Sequence, residues 1–375
     1  MSDPIPGSKM FEALKDKGTI ILAANVRITP GVAEGIFRAA KDLDSAVIFE
    51  IAKSECNLGV GYTGMKPCDY AEQIKNAAEK VGVDIWSLHA DHITLKKGTP
   101  EDIADAKQLI DSQIEHGFTS FAIDASYLFD VNETDLRKAL SKNISVTTEL
   151  AKYLESKMSG KSYGLEVEVG EIGKKNEHGH IVTSPEEAVT FITALNENGV
   201  YPQVLAIANG STHGNIYDER GNVIEQVSID IPQTKAVAKA LRDNKLNVRI
   251  AQHGITGTPR ELINTMFPRG DIIKGNVGTF WQNIVLDTYK VYQPDLYRDM
   301  YNWTIQTYKS KNPDKADNEI FGKNVKYAIK EFYDRIHSVD DETVRTLEAI
   351  AYAEARVFFK AFNSQGTATL VRNGK

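Results

Sequence analysis

Three histidines stand at or just beyond the ends of apolar runs drawn from separate parts of the chain: His92, His213 and His253. Neutral imidazole is a good zinc ligand, and three of them leave a fourth coordination position for a substrate or a water. A single histidine at such a place is usually structural, but three that close separate strands act as a joint signal. The ends of the other runs are polar as well, with Asn25, Asp91, Asp124, Glu166, Glu168 and Asn276. Of the remaining histidines, His89 reads as a neighbour that orients the ligands. His116 precedes a helix-ending glycine, His178 and His180 lie in a loop, and His337 lies in the tail, so all four read as solvated.

The elements that carry these residues are short β-branched or apolar runs at Thr19–Asn25, Ala46–Ile51, Ile85–His92, Ser120–Asp124, Tyr163–Val169, Val204–Asn209, Asn247–His253 and Asp271–Asn276. Each gap between them is long enough for a crossover helix, so the eight runs predict parallel neighbours. Thr99-Pro100, Ser184-Pro185 and Thr258-Pro259 each offer a capping hydroxyl before a proline, and Thr29-Pro30 starts a further helix. Gly117 and Gly199 stop two of the helices. The fold class that follows is α/β, a (β/α)8 TIM barrel, whose active site lies at the C-terminal ends of its strands. After Asn276 the pattern becomes helical and rich in aromatics, among them Tyr289, Tyr297, Trp303 and Tyr308. We therefore expect a catalytic barrel over residues 1–290 and a helical C-terminal extension over 291–375, packed on the barrel or at a subunit interface.

Composition narrows the partners. The 375 residues are 42% hydrophobic and 25% charged, which suits a large globular core and excludes a disordered or fibrous chain. A net charge of −7 argues against a broad grip on nucleic acid or anionic lipid, so an anion is expected at a local site. No apolar run approaches the roughly 20 residues needed to span a bilayer. The N-terminus lacks a secretion pattern and there are two cysteines, Cys56 and Cys68, which points to a reducing cytoplasm.

The ordered segments His89-Ala90-Asp91-His92, Leu165 to Gly170, Asn209 to Gly214, His253 to Thr258 and Lys274 to Thr279 resemble the motifs of the class II, zinc-dependent ketose-bisphosphate aldolases, over most of residues 10 to 285. The resemblance implies Zn2+ held by His92, His213 and His253, acting as a Lewis acid on a ketose phosphate. It implies that Asp91 exchanges a proton with the C4 hydroxyl, and that Glu177 shuttles the proton of dihydroxyacetone phosphate. Asn276 and Asn25 match substrate-contacting asparagines. Asp124 and Glu168 match carboxylates found near the zinc or at a second metal position, with orientation of the ligands as the plainer role. Phosphate would be met by backbone N–H groups at Gly214, Gly254, Thr256, Gly278 and Thr279, with a monovalent cation, K+ or Na+, beside it at Gly214 and Gly254.

The expected reaction is reversible cleavage of a ketose 1-phosphate or 1,6-bisphosphate, first of all fructose 1,6-bisphosphate, to dihydroxyacetone phosphate and an aldehyde. The resemblance further implies a place in glycolysis and gluconeogenesis and a homo-oligomer, dimer or tetramer. There are departures from the family pattern. Ile255 stands for a glycine, Gly278 for an aspartate, and Lys53-Ser54 for the usual serine-containing neighbourhood, while Lys323 is the nearest match to a tail arginine. These changes touch the aldehyde half of the substrate, which keeps tagatose bisphosphate or another modified ketose phosphate open. Three other readings compete: a barrel metallohydrolase, a Schiff-base aldolase using Lys274, and a barrel kept only for binding.

Overall fold

The computed structural model describes residues 2–171, 175–176, 179–212 and 214–374, the side chains of 175, 176, 179 and 180 excepted. Eight parallel strands close a barrel: Ile21–Asn25, Val47–Ala52, Trp86–Thr94, Ser120–Asp124, Gly164–Val169, Val204–Ile207, Arg249–Gln252 and Ile272–Val277. They are numbered one to eight in that order. Strand one pairs with strand eight as well as strand two, which seals the cylinder. Each predicted run thus overlaps a strand: most are shorter than the run at one or both ends by one or two residues, while strands two, three and eight continue one or two residues beyond its C-terminal end.

Alternation divides the strand side chains between the barrel interior and the surrounding helices. Outward residues such as Leu22, Phe49, Leu88, Phe121 and Leu205 pack under the surrounding helices in one large cluster. Inward residues at the lower end, including Ile21, Ala23, Ile48, Val204 and Ala251, meet Met10, Phe11 and Leu14 of the helix Gly7–Leu14, which plugs the bottom of the barrel. Above this apolar floor the inward positions become charged.

Two of the expected helix starts hold as read. Thr99 Oγ1 accepts from the Asp102 N–H at 3.3 Å, and Ser184 and Glu187 form a reciprocal capping box. The other two differ. The hydroxyl of Thr258 donates to the Gly254 carbonyl at 3.2 Å, and the helix Arg260–Met266 begins behind Pro259. Thr29 bonds Gln73, and the helix Val32–Asp42 starts only after Gly31. The hydroxyl cap loses at Thr258 to a carbonyl four residues back in the same loop, and at Thr29 to a side chain from another segment.

The C-terminal extension packs against the barrel of its own chain. Its longest helix, Asp341–Ala361, crosses Val32–Asp42 so closely that a Cβ on Gly35 would lie 2.4 Å from the Glu348 carbonyl oxygen. The tail aromatics form a chain of contacts, Tyr308 stacking on Tyr327 and Tyr327 meeting Tyr62 edge-on, so the extension reaches the barrel mouth. Among the described residues no helix is long and apolar enough to cross a membrane.

Candidate active site

Strict alternation would send Asp91 and His92 to opposite faces of strand three. The ladder between strands three and four instead slips, with Ala90 opposite Phe121 but Ile93 opposite Ile123. One extra residue is accommodated as a bulge, and His92 takes a left-handed φ of 40°. Backbone strain of this kind, about 1–3 kcal/mol, persists only where the surroundings enforce it. Its consequence is that both Asp91 and His92 face the mouth.

His92 Nδ1 lies 2.8 Å from Glu168 and 3.6 Å from Asp124, while Nε2 lies 3.8 Å from Asp91. Burial opposes a charge on this ring, but Asp91 and Glu168 outweigh it and hold the imidazole protonated well above its ordinary range. Glu168 is pushed up to about 8, by burial first and by the adjacent Asp124 second. His253, just past strand seven, places its ring centroid 4.7 Å from that of His92. One ligand atom from each of Asp91, His92 and His253 falls within 4.8 Å of the others, and His92, Asp124 and Glu168 form a second such group. Two convergent imidazoles among carboxylates are a donor set that suits a divalent metal. His213 and Glu177 lie outside the described residues, as do His178 and the side chain of His180.

Beneath the histidines lies a buried charged layer. Lys274 Nζ is 2.7 Å from Glu166, 2.9 Å from Glu50 and 3.5 Å from Asp91, and 3.0 Å from His89 Nε2. The other nitrogen of His89 bonds Ser120 Oγ at 2.7 Å, which fixes the ring. Burial alone would lower the Lys274 pKa, but Glu166, Glu50 and Asp91 more than reverse that and keep it an ammonium. A Schiff base requires the free amine, so this lysine is poorly suited to be a nucleophile. Burial and the charge of Asp91 drive Glu50 upward, whereas Lys274 overcomes burial and holds Glu166 low. Asn276 donates to Glu50 at 2.9 Å and to Asp91 at 3.4 Å, so the Asp91 carboxylate is aimed by both an amide and an ammonium.

The mouth opens into a cavity of about 780 Å³ lined by Asp91, His92, Asp124, Glu168, His253 and Asn276. Gly214, Gly254, Thr256, Gly278 and Thr279 also line it, as do Asn25, Lys53 and Ser54. Gln226, fully buried, ties the loops after strands six and seven together by accepting from the Thr212 hydroxyl at 2.6 Å and donating to the Gly254 carbonyl. Thr256 Oγ1 accepts from the Phe280 N–H at 3.2 Å, joining the seventh loop to the helix Thr279–Tyr292. Lys53 donates to the Thr94 carbonyl at 2.9 Å and faces Asp102 at 3.7 Å.

Some expectations change. Lys323 is exposed, pairs with Glu319 at 2.6 Å and rests on Tyr217, away from the cavity; the tail cation that lines it is Lys326. The helix Asp317–Asn324 that carries Lys323 ends before Lys326, which sits in the following turn Val325–Tyr327. Ile255 is wholly buried in the core. The amide of Asn25 is committed to Glu55 at 2.5 Å. Glu50, Glu55, Arg27 and Gln226 were not singled out as site residues by spacing, although period two does place Glu50 on the inner face of strand two.

A closed parallel barrel with imidazoles and carboxylates gathered at its C-terminal mouth defines a TIM-barrel enzyme class whose chemistry is built from strand ends. Residues 6–341 match the family described as fructose-bisphosphate aldolase class-II, and the chain belongs to that family. It is thus a class II aldolase, an aldehyde-lyase, of a family that generally uses a divalent metal and acts on sugar phosphates. A class 2 fructose-bisphosphate aldolase from Synechocystis sp. is 24% identical over 290 residues, 73% of this chain and 71% of that protein. A D-tagatose-1,6-bisphosphate aldolase subunit GatZ from Salmonella gallinarum is 31% identical over 113 residues, and the chain spans only 27% of its length. Among solved structures, the Campylobacter jejuni fructose-bisphosphate aldolase shares the fold with a TM-score of 0.64 at 19% identity, covering 98% of this chain and 97% of that one.

Proposed function

We propose that the protein is a zinc-dependent aldolase that reversibly cleaves a ketose 1-phosphate or 1,6-bisphosphate, fructose 1,6-bisphosphate before others, into dihydroxyacetone phosphate and an aldehyde, glyceraldehyde 3-phosphate. The observation that carries this reading is the convergence of Asp91, His92 and His253 at the mouth, with Asp91 aimed from below. Zn2+ held by His92, His213 and His253 would supply the Lewis acidity that polarises the ketose carbonyl. Asp91 takes the C4 hydroxyl proton as the C3–C4 bond breaks, and the electron pair stays with the three-carbon phosphate half. Glu177 returns a proton to that half. Asn276 holds both Asp91 and the substrate. Asp124 and Glu168 brace His92, and they are also the donors for a second metal position. The phosphate meets the N–H groups of Gly214, Gly254, Thr256, Gly278 and Thr279 at the head of the helix Thr279–Tyr292, with K+ or Na+ beside Gly214 and Gly254. Asn25, Lys53 and Ser54 face the aldehyde half.

Tagatose 1,6-bisphosphate is the second reading, favoured by the local likeness to the Salmonella tagatose relative. The proposal includes a homo-oligomer in the cytoplasm serving glycolysis or gluconeogenesis, with residues 1–290 as the catalytic barrel and 291–375 as its extension. The experiment that separates the three-carbon half from the aldehyde is proton exchange. Dihydroxyacetone phosphate incubated in D2O with zinc-loaded protein should take up deuterium at its hydroxymethyl carbon, as read by NMR, with no aldehyde present. Absence of exchange would sink the assignment.

A further inference from the structure

Strands six and seven are joined at their C-terminal ends by buried side-chain amides that no chemical step uses. Asn209 and Gln252 pair reciprocally: Asn209 Nδ2 donates to Gln252 Oε1 at 2.8 Å, and Gln252 Nε2 donates to Asn209 Oδ1 at 3.3 Å. Gln252 Nε2 also donates to the His253 carbonyl at 2.8 Å, which fixes the backbone of that histidine. Both amide side chains are shut away from solvent.

Beyond the strand ends, Gln226 makes a second tie. It turns inward from an exposed segment, with Glu225 and Val227 on either side of it facing solvent. That segment is pinned along both loops: the Gln226 N–H donates to the Gly257 carbonyl at 2.8 Å, Ser228 Oγ to the Gly210 carbonyl at 2.8 Å, and the Asp230 N–H to the Asn209 carbonyl at 2.8 Å. The Gln226 side-chain oxygen accepts from the Thr212 hydroxyl at 2.6 Å and from the Thr212 N–H at 3.3 Å, and its nitrogen donates to the Gly254 carbonyl. Thr212 directly precedes His213, and Gly254 directly follows His253. The loops approach so closely that a Cβ on Gly254 would stand 2.8 Å from Ser211 Cβ and 3.0 Å from the Thr212 carbonyl oxygen.

A primary amide is the group this position demands, because one end must accept and the other must donate. Burying an amide is costly unless its ends are bonded, so an exposed segment that sends one inward depends on those partners. Ligands mounted on loops keep their geometry only where supporting hydrogen bonds lock them. We propose that Gln226, together with the Asn209–Gln252 pair, is a positioning residue for the metal, setting the spacing of the two loops that present His213 and His253. The inference rests on the metal reading of the site and deepens it.

The test uses Co2+ as the probe in the full chain stripped of metal. Visible d–d absorption reports the number and arrangement of ligands, and competition with a chelator reports affinity. Gln226→Met keeps the length of the side chain and removes both hydrogen-bonding ends. It should weaken Co2+ binding by about 10–100-fold, the usual effect of losing a partner that orients a ligand, and alter the absorption bands. Thr212→Val should do the same more weakly, whereas Thr212→Ser, which keeps the hydroxyl, should bind as wild type does. Both changes cut one tie, so the double variant Thr212→Val, Gln226→Met should lose no more than Gln226→Met alone. If Gln226→Met does not fold, Thr212→Val against Thr212→Ser decides on the same readouts. Wild type that binds Co2+ but cleaves no ketose phosphate would sink the aldolase reading alone, and the comparison of affinities would still decide the role of Gln226. Wild-type affinity and bands in the folded variants, even with a lower unfolding midpoint, would mean a structural role only and overturn the proposal.

Discussion

Asp91 occupies a position that few carboxylates share. Its Oδ1 faces Lys274 and Asn276 and its Oδ2 faces His92, so one side is aimed by the barrel and the other looks onto the metal donors. Replacing it with alanine should leave stoichiometric metal in place yet lower cleavage by about 10²–10⁴-fold, the usual worth of a positioned acid–base group. Atomic absorption alongside initial rates checks this, and unchanged turnover would remove Asp91 from the mechanism. His92 carries a second consequence. Asp91 and Glu168 hold it protonated well above the ordinary imidazole range, whereas a metal requires the neutral ring. The proton is therefore bound below that raised pKa and must leave on metal binding, so affinity rises with pH across the neutral range. Calorimetric titration of zinc into metal-free protein at pH 7 should give a heat that depends on the ionisation enthalpy of the buffer; a buffer-independent heat would contradict it. His92, His253 and Asp91 were legible because their types and strand-end positions coincide. Arg27 and Lys274 were not read as parts of a buried network, because a charged residue in sequence carries no mark of the partners that allow its burial.

At the scale of elements, four strands contribute to one charged layer: Glu50 from strand two, His89 and Asp91 from strand three, Glu166 from strand five and Lys274 from strand eight. With Lys274 fully buried, Lys274→Met would leave these carboxylates without their cation. Breaking such a buried ion set costs about 3–5 kcal/mol, far more than an exposed pair. Denaturant unfolding should show a loss of that order, and a loss below about 1 kcal/mol, the range of surface salt bridges, would mean that the layer is not held by this lysine. The strands themselves were readable from apolar runs, and the crossover helices from their caps and stops. The bulge at His92 was not, since register depends on the neighbouring strand and not on the run itself. Thr29 misleads for a similar reason, giving its hydroxyl to Gln73 from another segment, whereas Thr258 gives its own to the Gly254 carbonyl four residues back in its loop.

For the whole molecule, the barrel brings residues from across the chain to a single mouth, and the extension returns Lys326 and Tyr327 to its rim. Alternation of strand and helix made the barrel legible; the route of the extension was not, because its aromatics suit packing on the barrel and contact with another subunit equally well. We propose that this mouth performs metal-dependent aldol cleavage of a ketose phosphate. The measurement is release of triose phosphate from fructose 1,6-bisphosphate by protein of known zinc content, before chelation, after chelation and after zinc is restored. Turnover should vanish with the metal and return with it. Turnover that persists in protein shown to be free of metal would contradict it.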